Sequence, residues 1–176
     1  MIRALAVTMT LLALSATVVS AHGPTRQKVT KTVEIAAPVD KVWKALGNFQ
    51  DMGWHPAVEK TEGTGGNEPG AKRTLTLKGG GKIHETLTKY DAAGHLLSYE
   101  ISEVDVKVLP VNNYSSTLRA EEQGGKTLVT WRGAFYRGFM NNDPPPELSD
   151  EAAVKAVTGV YEGGLDALKK ALEAGG

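Results

Sequence analysis

The chain has 176 residues, with 20 basic and 20 acidic side chains balancing to a formal net charge of zero, and it contains no cysteine. That balance supplies no field for nucleic acid or an anionic lipid surface. The missing thiols exclude disulfides, thiolate metal sites and cysteine nucleophiles.

After the lone positive charge of Arg3, residues 4–19 are uncharged and mostly apolar, and Ser20-Ala21 offers the small residues that a signal peptidase reads. A run of about 16 residues falls short of the ~20 that span hydrocarbon. Residues 1–21 therefore read as a cleaved export signal rather than an anchor, and the expected location is the periplasm, with no stable membrane insertion after cleavage. Cleavage after Ala21 leaves 155 residues of net charge −1, long enough for one self-sufficient core. It also frees the amine of His22, which together with its imidazole is a copper-chelating pair. Such a site needs a further imidazole, and the sequence places none beside it, so no metal is assigned.

Residues 22–27 read as a flexible arm, followed by a single domain over 28–173. Val29, Lys31, Val33 and Ile35 alternate with Thr30, Thr32 and Glu34, the pattern of a half-buried strand. Pro38 suits the start of a helix, and Val39, Val42, Trp43 and Leu46 follow at helical spacing, which predicts that Trp43 packs beneath the sheet. Phe49, Met52 and Trp54 predict a second short helix before His55-Pro56 redirects the chain.

From there, strand patterns over 58–63, 72–78, 82–90, 96–103, 114–121 and 127–137 are separated by glycine-rich turns, an antiparallel meander. Ser149 can then cap a long helix carrying Val154, Val157, Tyr161, Leu165, Leu168 and Leu172. Gly159, Gly163 and Gly164 lie inside that helix, where each costs about 1 kcal/mol relative to alanine, so close neighbours are expected.

This order, with Ala36-Ala37-Pro38 before Val42-Trp43, the Trp54-His55-Pro56 segment, the Glu85 strand, Tyr99 and a glycine-bearing final helix, resembles the helix-grip superfamily of START-like and polyketide-cyclase-like (SRPBCC) proteins. The resemblance implies an α+β fold in which a curved antiparallel sheet of about seven strands, in the order β-α-α-β6-α, wraps a long C-terminal helix over an apolar cavity. Within the group, the signal peptide, Pro110-Val-Asn-Asn-Tyr114 and Trp131-Arg-Gly-Ala-Phe135 look most like the MxaD-type accessory proteins of bacterial methanol oxidation. That likeness implies a periplasmic redox enzyme as partner, methanol dehydrogenase meeting its cytochrome c acceptor.

Strand parity tells which residues share a face. Arg73 falls with Leu75 and Leu77, Glu85 with Ile83 and Leu87, Tyr99 with Leu97 and Ile101, Tyr114 with Leu118, and Trp131 with Val129 and Phe135. Val157 and Tyr161 add the helix side of the expected cavity, and Trp54, between glycine and proline, is the candidate for its mouth. Glu85 reads two ways: as half of a buried ion pair with Arg73, or as a general acid with a raised pKa.

No cofactor is assigned, since the histidines lack zinc-ligand spacing and no serine sits in a nucleophile elbow. Residues 63–70 have the glycine density of a phosphate cradle, but a strand follows them, so they read as a hairpin loop. Three functions stay open: a non-enzymatic binding or accessory protein for a small hydrophobic ligand, a cyclase- or dehydratase-like enzyme, and a lipid or quinone carrier.

Overall fold

The alternating segment at the start of the domain becomes β1 (Gln27–Ile35) in the computed structural model, which describes residues 23–174. The remaining strands are β2 (Val58–Thr64), β3 (Lys72–Leu77), β4 (Lys82–Asp91), β5 (Leu96–Val104), β6 (Val111–Gln123) and β7 (Lys126–Arg137). They form one antiparallel sheet in the order β1-β7-β6-β5-β4-β3-β2, so the meander runs from β2 to β7 and β1 closes it against β7. Turn chemistry fixes the register. Gly124 and Gly125 take φ of +58° and +83° between β6 and β7, the two-residue turn whose twist matches a hairpin.

Helix α1 (Val39–Leu46) buries Val42 and Leu46, and α2 (Asp150–Glu173) buries Val157, Tyr161, Leu165 and Leu168. The Ser149 side chain accepts from the Ala152 amide at 3.2 Å, capping α2 as its sequence predicts. Of the three helical glycines, Gly164 alone has a packing cause. A Cβ there would stand 2.5 Å from His55 and 2.9 Å from Trp131, whereas Gly159 and Gly163 have open space. Gly133 in β7 is its counterpart, because a side chain there would occupy the place of the Tyr161 hydroxyl. Nothing in the structure explains the other two.

The structure corrects four expectations. The predicted second helix is a series of turns, because Asn48 and Asp51 direct their side chains to the amides of Gln50 and Gly53, at 3.1 and 2.8 Å, and so compete with helical bonding. Trp43 is only half-buried: it stacks on Tyr90 at 5.9 Å and meets His95 at the margin of the core.

The arm is tied down at its end. Gln27 pairs with Phe135 in the sheet, and Arg26 donates to Ser115 Oγ at 3.2 Å while lying over Tyr136. Strand β6 starts at Val111, three residues earlier than parity implies. An irregularity between Asn112 and Ser115, with Asn113 at φ +46°, puts both Val111 and Tyr114 on the inner face. His22 and the export signal lie outside the described residues. Among those described, no helix is long and apolar enough to cross a membrane.

Candidate functional site

The inner face of the sheet is mostly apolar, and Arg73 and Glu85 stand directly opposite one another on it, on β3 and β4. Both are about 95 % buried, and Arg73 Nε donates to Glu85 Oε2 at 2.5 Å. Arg73 Nη1 donates to the carbonyl of Phe49 at 2.9 Å, and the guanidinium lies over the rings of Phe49 and Tyr99. Burial raises the Glu85 pKa and the arginine opposes it. Protonating Glu85 would strand the permanent charge of Arg73 in the interior, so the two groups are held as a pair.

A cavity of about 80 Å³ opens beside this pair. Leu75, Leu77 and Glu85 from β3 and β4, Tyr99 from β5, Tyr114 from β6 and Trp131 from β7 all line it, as inward parity suggests. Its far side is closed by His55 and Met52 from the connection, Val108 and Leu109 from the loop after β5, and Val160 from α2. Such a volume suits a single ring or a short chain, well under the ~300–1,000 Å³ of pockets for larger ligands.

The other expected lining residues do not reach it. Arg73 is engaged by Glu85 and the Phe49 carbonyl, Tyr161 is stacked on Trp131 at 4.3 Å, Phe135 on Tyr114 at 6.0 Å, and Leu87, Leu118 and Val157 are packed in the core. Trp54 is half-buried and edge-on to Trp131 at 5.6 Å, one layer outside the lining. The reason is geometric: parity assigns a side chain to a face but not to a place along it, and the cavity takes up only part of this face.

Four hydroxyls and an indole form a relay next to the cavity. Ser116 Oγ donates to the carbonyl of Arg132 at 3.0 Å, which leaves it to accept from Tyr161 Oη at 3.0 Å and from Trp131 Nε1 at 2.9 Å. Having given its proton to Ser116, Tyr161 accepts from Tyr114 at 2.6 Å. Trp131 Nε1 also reaches Tyr99 Oη at 3.1 Å. Burial pushes all three tyrosines up, Tyr99 to about 12, so the relay consists of neutral hydroxyls.

His55 was not among the expected site residues. The Ala57 amide donates to its Nδ1 at 3.2 Å, so Nε2 carries the proton and donates to the carbonyl of Val160 at 2.9 Å. Desolvation holds its pKa below the usual value, and both nitrogens are spent on the backbone. Its trace in the sequence is Gly164, the gap into which the imidazole fits. Ser116 was also missed, although it shares inward parity with Tyr114 and Leu118. Among the described residues no group of three His, Asp or Glu could hold a metal ion.

The profile of the polyketide cyclase / dehydrase and lipid transport family matches residues 26–173. The chain belongs to that family. Among solved structures, the protein XoxI from Bacillus cereus is 30 % identical with a TM-score of 0.70, over 82 % of this chain and 94 % of its own. A protein from Nitrosospira multiformis is 26 % identical with a TM-score of 0.68, over 83 % of this chain and 96 % of that one. Norcoclaurine synthase from Thalictrum flavum, 17 % identical with a TM-score of 0.64 over 94 % and 98 % of the two chains, shows the same fold. No curated protein matches the chain.

Proposed function

We propose that the mature chain is a periplasmic binding protein that acts without turnover, holding a small apolar ligand between sheet and helix and assisting a periplasmic redox enzyme. The observation that carries this reading is the state of the cavity's titratable groups. Glu85 is neutralised by Arg73, both nitrogens of His55 serve the backbone, and burial keeps the tyrosines protonated. Each of these groups is thus taken up by the fold, whereas general acid–base catalysis needs a group free to meet its substrate. The cavity size also disfavours a lipid or quinone carrier, whose cargo needs several times this space.

The partner is proposed from the MxaD-type likeness: an alcohol dehydrogenase of the methanol-oxidising kind and its cytochrome c. The immobilised mature chain should retain that dehydrogenase and speed its reduction of the cytochrome. Failure to retain either protein at low ionic strength would refute the accessory role.

One observation favours the second reading, a cyclase- or dehydratase-like enzyme. Glu85 and Tyr99 stand on the wall of the same cavity. Turnover of a small carbonyl compound that disappears in Glu85→Gln and Tyr99→Phe would establish it in place of the first.

A further inference from the structure

Both helices bury their apolar stripes against the inner face of the sheet, and the outer face carries an uneven charge. Parity sends Ser115, Thr117 and Arg132 outward, away from the buried Ser116 and Trp131. Register aligns Ser98, Thr117, Arg132 and Thr30 in one row across β5, β6, β7 and β1, and Ser115, Ala134 and Lys28 in the next. The short side chains beside Arg132 and Lys28 leave a groove of about 440 Å³, to which Thr88 also contributes and whose floor includes Gly133. No acidic residue among those described lines it. Glu100 adjoins in the register, opposite Ser115, but is not part of the lining.

The cations of this groove are unmatched, whereas those farther along the same face are neutralised in place. Arg119 meets Glu121 at 3.1 Å and Lys126 meets Glu34 at 2.6 Å. Lys28 and Arg132 in the groove, and Arg26 at its rim, have no carboxylate within ion-pair distance among the described residues. Arg26 is nevertheless held in place, since its Nη2 donates to Ser115 Oγ at 3.2 Å and its guanidinium lies over Tyr136. All three are exposed. Like charges gathered at one end of a face repel one another, and an anionic occupant relieves that repulsion.

Charge and exposure select the occupant. The chain as a whole is neutral, which gives a long polyanion no field beyond this patch. A lone small anion would keep little of the attraction, because exposed ion pairs are individually weak. A segment that carries several carboxylates meets all three cations at once, and the hydroxyls of Ser98, Ser115 and Thr117 can donate to it. We propose that this groove on the outer face docks a carboxylate-rich segment of a partner protein, with Arg26, Lys28 and Arg132 as its cationic contacts. It lies across the sheet from the cavity, and rests on the accessory reading only for the partner being a protein.

Titration of the isotope-labelled mature chain with an oligoglutamate peptide, followed by backbone amide shifts in NMR, tests it. At about 0.01 M salt, saturable shifts are expected at Lys28, Ser98, Ser115, Thr117 and Arg132. Affinity should fall severalfold at about 0.15 M, where the screening length shortens from about 30 Å to about 8 Å. The double variant Lys28→Gln/Arg132→Gln, both positions exposed, should weaken binding roughly fivefold or more. Lys78→Gln, which removes an exposed cation outside the groove, should leave it unchanged. Glutarate binding as tightly as the peptide would overturn the protein segment in favour of a free small anion. Shifts spread over the exposed lysines, or none in the groove, would overturn docking there. Because the peptide stands in for any acidic partner, that failure is separate from a failure to retain the dehydrogenase, which bears on the accessory role.

Discussion

Two buried arginines on this sheet do different work. Arg137, at the end of β7, uses all three of its nitrogens: Nε donates to the Phe139 carbonyl at 2.7 Å, Nη2 to that of Asn141 at 2.8 Å, and Nη1 to Asp150 at 3.1 Å. It fastens the loop before α2 to the start of that helix, and its carboxylate partner is partly solvated, the Asp150 side chain being 24 % exposed. Arg73 sits in the middle of the inner face with a partner just as buried as itself, and its Nη2 has no acceptor. One arginine completes a loop. The other stands with its carboxylate beside a cavity, and that position marks the site off from the scaffold.

The largest effect should come from breaking the central pair. Glu85→Ala leaves Arg73 charged and uncompensated in the interior, and should cost about 3–5 kcal/mol in chemical denaturation. Arg137→Ala should cost less, about 2–3 kcal/mol, because its carboxylate partner Asp150 is more exposed than Glu85. It should also open the Phe139–Pro146 segment to proteolysis, which Glu85→Ala at matched stability should not. A smaller loss, about 1–2 kcal/mol, is expected for Tyr161→Phe, which deprives Tyr114 of its acceptor and Ser116 of a donor.

His55 adds an effect confined to acid. Its folded-state pKa is lowered, so the neutral form is the one that the fold favours. The resulting stability is fully present above the ordinary value near 6.5 and is lost as pH falls through the lowered folded value. Denaturation midpoints should therefore decline from pH 7 downward. In His55→Gln, less stable overall, that part of the slope should flatten. Smallest of all, Gly159→Ala should stabilise the protein by up to about 1 kcal/mol, since the helix gains propensity and the added methyl meets open space. Gly164→Ala should destabilise it, because His55 and Trp131 occupy that space.

These particular residues also show what was legible in the chain. Alternation around Ile83 and Leu75 put Glu85 and Arg73 on one face, and the tight turn at Gly79–Gly81 could bring them opposite or nearly so; the sequence left Glu85 as half of that pair or as a general acid, and the strand register sets the two directly opposite. The seven strands and the long helix were readable for the same reason. The segment from Phe49 to Trp54 was misread because apolar spacing outvoted Asn48 and Asp51, whose short side chains settle the backbone locally. The cavity was only half legible. Its sheet wall is a matter of parity, but its closing side comes from His55, Leu109 and Val160, which are far apart in sequence and meet only because α2 crosses the sheet. The misplaced candidates, Leu118 and Phe135 among them, have the same composition and parity as the true lining, and only the path of α2 tells wall from core.

The cavity beside Arg73 and Glu85 stands at the centre of this reading, as a binding site for a small ligand. Its most direct test is a titration of methyl-labelled protein with phenol, followed by NMR. Saturable shifts are expected at the methyl groups of Leu75, Ile83 and Ile101, with those of Leu118 and Leu168 unmoved. Shifts spread over the surface methyls, or none at the three cavity residues up to the solubility limit, would contradict it.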